Sequence, residues 1–208
     1  MSLFASVADF DRLIGALPQV DGVTQNKAAA RQSQLTKPPG SLGKLENIAI
    51  WMAGWQRSER PDIEHGQCIV FAGNHGVVAQ GVSPFPADVT AQMVQNFEAG
   101  GAAINQLCRV AGLDLRVSAI QLDTPTRDFT TGPAMTDDEV LAAMNAGAES
   151  IADDWDYLIV GEMGIGNSTA AAALCLGRVG ADAKGWVGPG TGLDEDGVAH
   201  KATVIDQA

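Results

Sequence analysis

The chain has 208 residues, enough for one sizeable domain or for one large and one small. Its apolar fraction of 46% excludes general disorder. Thirteen basic against 25 acidic residues give a formal charge of −12, which argues against a nucleic-acid surface or an anionic-membrane binder. It leaves room for one local phosphate site, because backbone N–H groups and a single lysine hold a phosphate inside an acidic protein.

Met1–Asp11 lacks the basic and long apolar regions of a secretion signal. No later apolar stretch approaches the length of a membrane span. Next, Phe10, Leu13, Ile14 and Leu17 share one helix face, and Pro18 ends that helix. A second helix is predicted from Thr24 as N-cap through Lys27–Arg31, up to the break at Pro38, Pro39 and Gly40. Ser41 then reads as the N-cap of a third helix, with an apolar stripe of Leu42, Leu45, Ile48, Met52 and Trp55.

The pattern changes near Gln67. Four short apolar runs read as strands: Cys68–Ala72, Leu113–Ile120, Tyr157–Val160 and Gly185–Val187. Helical patterns separate them. Val89, Met93 and Phe97 recur every four residues, and Ile104, Leu107 and Val110 follow the Gly100–Gly101 break. Thr136-Asp-Asp-Glu139 is a capping box opening a helix that carries Val140, Met144 and Ile151. Asn167 reads as the cap of a further helix running to Val179. Such alternation implies βαβ units, a parallel sheet and an α/β fold. The polar stretch Arg57–Gln67, with Pro61, separates a helical N-terminal subdomain (1–60) from the α/β domain (61–208). Cys68, Cys108 and Cys175 are widely spaced without a CxxC pair, as expected of reduced thiols in a cytosol.

Ligands of open parallel sheets bind beyond the carboxyl ends of the strands. Three Gly-rich segments fall at such ends: Phe71-Ala-Gly-Asn-His-Gly76 with Gly81–Pro86, Gly161-Glu-Met-Gly-Ile-Gly-Asn-Ser-Thr169, and Gly188-Pro-Gly-Thr-Gly192. In the second, a strand runs into Glu162, and Gly164 and Gly166 permit a tight path into a helix start. This reads either as an anion site at free N–H groups or as an ordinary strand–turn–helix. Glu162 is a ligand-facing carboxylate or a solvated loop acid. Lys201 is either a point charge for a phosphate or a surface lysine. His75 has no His or Cys neighbour at ligand spacing, so no metal site is expected. There is no Gly-x-Ser-x-Gly elbow, and no lysine follows the glycines as in a P-loop. Trp51, Trp55, Trp155 and Trp186 lack an accompanying basic patch and read as packing residues.

Taken together, the segments Leu35-Thr-Lys-Pro-Pro-Gly-Ser-Leu-Gly43, Phe71–Val77, Gly81-Val-Ser83, Val89-Thr-Ala-Gln-Met-Val94, Gly161–Thr169 and Val187–Leu193 with Lys201 resemble the nicotinate-nucleotide–dimethylbenzimidazole phosphoribosyltransferases in order and spacing. The resemblance implies a Rossmann-like parallel sheet flanked by helices, a small helical domain built from both chain ends, a cytoplasmic homodimer, and no metal or organic cofactor. It implies transfer of phosphoribose from nicotinate mononucleotide to 5,6-dimethylbenzimidazole, giving α-ribazole 5′-phosphate and nicotinate in cobalamin lower-ligand assembly. Carried onto this chain, it places Ser83, Gln92 and Met163 in the base pocket. It puts Glu162, Gly164 and Gly166 against the mononucleotide, and Lys201 on its phosphate.

Two departures stand out. Asn74 occupies a position where many relatives carry Asp. The resemblance also implies that the C-terminal part of the family fold, with its general-base glutamate, lies beyond Ala208. Glu162 is then the one motif carboxylate left as a catalytic candidate. The alternative is a catalytically silent short homologue that binds a nucleotide or a benzimidazole.

Overall fold

The computed structural model describes residues 3–151 and 155–208. They form two compact units. One is Ser6–Gly66 together with Trp155, Asp156 and Tyr157, and the other holds residues 3–5, 67–151 and 158–208.

The first unit is helical: α1 (Val7–Gly15), α2 (Gly22–Gln32) and α3 (Lys44–Gln56). The cap of α2 is Asp21 rather than Thr24. Its carboxylate accepts from the amides of Val23 and Thr24 at 2.9 and 3.3 Å and from the Thr24 hydroxyl at 2.7 Å, so it satisfies two free amides that Thr24, three residues later, cannot reach. Helix α3 starts at Lys44 with Gly43 as its cap, not at Ser41, whose amide closes a turn onto Pro38 O. Its first turn is fastened by Glu46, which accepts from Leu42 N at 3.2 Å and from Lys37 Nζ at 2.6 Å. Helices α2 and α3 pack tightly at Gly54, where a Cβ would fall 2.6 Å from Val20 Cγ2 and Gln25 Cγ. The buried face of α3 is therefore Ala53–Gly54, and the stripe of Leu42, Leu45, Ile48 and Trp55 stays exposed. Trp51 and Trp55 meet edge to face at 6.4 Å on that exposed side.

The Glu46 clamp gives a pH prediction. The Lys37 ammonium, and then the Leu42 amide, hold its carboxyl below the ordinary value of 4.5. A depressed carboxyl contributes stability above its ordinary value and loses it as pH falls through the lowered one. Hydrogen exchange of the Leu42 amide, corrected for intrinsic rates, should therefore lose protection as pH drops below 4.5. Lys37→Met should flatten that dependence, and protection that stays constant across the range would contradict the clamp.

The second unit is built on a parallel three-stranded sheet of β1 (Gly66–Ala72), β2 (Leu113–Ala119) and β3 (Tyr157–Met163), in the order β2-β1-β3. The central strand β1 is buried almost throughout, as its apolar run requires. Helices α4 (Asp88–Glu98) and α5 (Ala103–Ala111) connect β1 to β2, and α6 (Asp137–Glu149) connects β2 to β3. After β3 come α7 (Asn167–Val179), α8 (Ala183–Trp186) and α9 (Glu195–Asp206). Val70, Phe97 and Ala102 form one core with Met93, Ile104, Leu115 and Met163 packed on it. Ala172, Ala183, Ala202 and Ile205 join α7, α8 and α9 in another.

The α/β fold and its first three strands match the sequence reading; several details differ. The run Gly185–Val187 is no strand. Asp182 caps a helical turn there by accepting from Lys184 N at 2.7 Å, and Trp186 Nε1 fastens it to Gly180 O at 2.9 Å. Asn167 is the first residue of α7, and Gly166 is its cap. The Thr136–Glu139 capping box is present, but α6 ends at Glu149, so Ile151 lies beyond it and is exposed. On α5, Cys108 takes the buried position while Leu107 and Val110 face outward, Val110 at 85% exposure. Strand β3 lies at the sheet edge, with Val160 exposed. Cys68 and Cys108 are buried and free. Burial, then the neighbouring Cys108 thiol, push the Cys68 thiol up to about 11, which leaves it inert. No helix among the described residues is long and apolar enough to cross a membrane.

Candidate functional site

The sheet changes direction of winding at β1, with β2 on one side and β3 on the other. A crevice opens beyond the carboxyl ends of adjoining strands at such a switch point. Here the turns after β1 and β3 touch, with Gly73 N donating to Met163 O at 3.0 Å. Gly164 makes the contact possible, since a Cβ on it would collide with Gly73 O and Asn167 Oδ1. Gly166 sits at φ +92, and its Cβ would fall 2.9 Å from Val78 Cγ2. Between them, Ile165 N donates to the fully buried Thr90 hydroxyl of α4 at 3.1 Å. The turn is thus fixed on three sides before α7 begins.

Lys201, on α9, is only 1% exposed. Its Nζ donates to Ser168 Oγ at 2.8 Å and to Gly188 O at 3.3 Å, both neutral acceptors. Among the described residues no carboxylate forms an ion pair with it. Burial lowers its pKa. A buried ammonium without a counter-charge is costly unless a ligand supplies one. Gly190, at φ +54, lets the third Gly-rich turn come close, and a Cβ there would lie 3.1 Å from Ser168 Oγ and 3.5 Å from Lys201 Nζ. Lys201, Ser168, Gly164, Gly166, Gly190 and Ser83 line a narrow cleft of about 30 Å³.

A wider cavity of about 510 Å³ opens beside it at the ends of β1 and β2, under α6. Glu162, Asn167 and His75 line it. The Asn167 side-chain amide donates to Glu162 Oε2, and its oxygen meets His75 Nε2. Glu162 is exposed at the mouth.

Of the residues singled out from the sequence, Ser83, Gly164, Gly166 and Lys201 come together in the cleft, and Glu162 lines the adjoining cavity. Gln92 is exposed on α4 and Met163 is half-buried against the Val70–Phe97 core, and neither lines the cleft or the cavity. Three contributors escape sequence reading. Ser168 and Asn167 look like plain helix-start residues, and Thr90 is one polar residue in an amphipathic helix. Only the folded chain brings Ser168 to Lys201, Asn167 to His75, and Thr90 to Ile165.

A family model described as "Phosphoribosyltransferase" matches residues 17–208. The nicotinate-nucleotide–dimethylbenzimidazole phosphoribosyltransferase of Novosphingobium aromaticivorans is 56% identical over 208 residues, covering all of this chain and 62% of its own length. The chain belongs to that phosphoribosyltransferase family. The family's protein of the same name from Ruegeria pomeroyi is 56% identical over 199 residues, 96% of this chain and 59% of its own. The crystal structure of CobT from Thermus thermophilus superposes with a TM-score of 0.83 at 38% identity, over 89% of this chain and 62% of that one. The chain therefore spans 59–62% of the length of these family members.

Proposed function

We propose that this chain carries the mononucleotide-binding part of a nicotinate-nucleotide–dimethylbenzimidazole phosphoribosyltransferase. The buried, uncompensated Lys201 ammonium supports this most directly. The 5′-phosphate of nicotinate mononucleotide enters the narrow cleft, where Lys201 and the Ser168 hydroxyl meet it and the Gly164–Gly166 and Gly190 turns leave room for it. The sugar and ring extend toward Glu162. As a carboxylate, Glu162 accepts from ribose hydroxyls and favours the positive charge that builds at C1 as the glycosidic bond breaks. A nitrogen of 5,6-dimethylbenzimidazole attacks C1 from the opposite face and nicotinate departs with the bonding pair. Loss of the proton on the benzimidazole's other ring nitrogen, to the general base that the family resemblance places beyond Ala208, then gives α-ribazole 5′-phosphate with inverted configuration. Ser83 sits at the cleft, whereas Gln92 and Met163, which the family resemblance assigns to the base, line neither the cleft nor the cavity. The family resemblance supports a cytoplasmic homodimer for the whole enzyme.

Calorimetric titration of the chain with nicotinate mononucleotide, with nicotinate riboside as control, tests this reading. The mononucleotide should bind more tightly than the riboside, and equal affinities would contradict the phosphate site. A second reading is a catalytically silent module that binds a nucleotide or a benzimidazole. Turnover separates the two.

The Gly166 turn provides a further expectation. A valine there must adopt a left-handed backbone and strike Val78. Gly166→Val should abolish mononucleotide binding by calorimetry. A folded variant with wild-type affinity would show that the turn tolerates a side chain and is not part of the site.

A further inference from the structure

We propose that His75 is a positioning residue that aims the Glu162 carboxylate through the side-chain amide of Asn167. This rests on the mononucleotide reading above only for what Glu162 faces; the relay itself follows from hydrogen-bond chemistry. A carboxylate offers no proton, so the Asn167 group that meets Glu162 must be the NH₂. The amide oxygen then points the other way, at His75 Nε2. An amide oxygen only accepts, so His75 must carry its proton on Nε2. The chain of donation therefore runs from His75 to Asn167 to Glu162, with one permitted orientation of the amide. Without a donor at position 75, the Asn167 side chain loses the partner that opposes rotation about its last bond, and Glu162 loses its fixed partner.

The start of this relay is held by backbone hydrogen bonds. The segment around His75 pairs with Thr126 in a parallel bridge, with Gly76 N donating to Thr126 O at 2.8 Å and Thr126 N to Asn74 O at 3.2 Å. Gly76 admits this pairing, because a Cβ there would lie 2.5 Å from Thr126 O and 2.6 Å from Asp128 N. On the other side, His75 Cβ lies against the Gly166 turn, 3.3 Å from where a Cβ on Gly166 would stand. Three elements meet through the relay: the end of β1, the end of β3 and the start of α7. A histidine between Asn74 and Gly76 is thereby given a task that its isolated position in the sequence does not reveal.

The test has two arms. In the free 208-residue chain, long-range nitrogen–proton correlation spectra of the ring should show His75 protonated at Nε2. A neutral ring protonated only at Nδ1 overturns the relay whether or not any ligand binds. In the second arm, glutamine keeps an N–H donor near the position of Nε2, whereas phenylalanine keeps only the ring. His75→Phe should weaken nicotinate mononucleotide and nicotinate riboside alike, by about tenfold, the scale of one lost hydrogen bond to a charged network. His75→Gln should restore both to within about twofold, a rescue that mere packing would not give. Phenylalanine and glutamine variants that bind alike overturn the positioning role. If the unaltered chain binds neither ligand while His75 is protonated at Nε2, the mononucleotide reading fails and the hydrogen-bond relay stands.

Discussion

Lys201→Met should lower the affinity for nicotinate mononucleotide by about 10- to 100-fold, the loss of roughly 1.5–3 kcal/mol carried by a charged hydrogen bond. The same substitution should leave nicotinate riboside nearly unaffected, because the riboside lacks the group that Lys201 meets. It should also leave the thermal midpoint of the unliganded chain unchanged or raised. Lys201 is almost fully enclosed, its partners are neutral, and burial lowers its pKa, so its charge opposes folding until an anion arrives. A methionine of similar length removes that cost, as replacement of buried charges by apolar groups commonly does. Differential scanning fluorimetry beside calorimetry separates the two effects. A variant that is strongly destabilised and binds both ligands equally poorly would make Lys201 a structural residue.

The 208-residue chain alone should form α-ribazole phosphate slowly or not at all. The chain continued past Ala208 with the C-terminal segment of the Novosphingobium relative should be faster by about 10²–10⁴-fold, the contribution of a positioned general base. The chain spans 62% of that relative, and the resemblance places the family's catalytic glutamate in the remainder. Val160 on the β3 edge and Leu174 and Val179 on α7 are exposed apolar residues, the kind of surface on which further strands and helices pack. Chromatography of the product from the two proteins side by side checks this. Equal rates would make the added segment dispensable and Glu162 the leading base, and Glu162→Gln in the shorter chain would then have to abolish turnover.

The α/β architecture was legible because its signals are local and strong. β1 is a continuous apolar run that becomes the buried central strand, and Thr136–Glu139 carries both halves of a capping box. What escaped depends on competition between neighbours. Thr24 is a good cap in isolation, yet Asp21 stands where its carboxylate reaches two amides. Gly185–Val187 looks extended until Asp182 caps the turn before it. Apolar stripes on α3 and α5 mark which residues are greasy, not which are covered, and Gly54 and Cys108 show that small residues took the buried faces. The glycine turns could be read from the sequence and Lys201 was singled out by the family resemblance, while the burial of Lys201 and the His75–Asn167–Glu162 contacts arise only when distant segments meet.

The cleft between the second and third Gly-rich turns is the proposed seat of the mononucleotide phosphate. A crystal structure of the chain with nicotinate mononucleotide tests it most directly. Phosphate oxygens should lie within hydrogen-bond distance of Lys201 Nζ and Ser168 Oγ, with ribose hydroxyls facing Glu162. A phosphate bound elsewhere, with Lys201 Nζ still engaged only by Ser168 and Gly188, would contradict it.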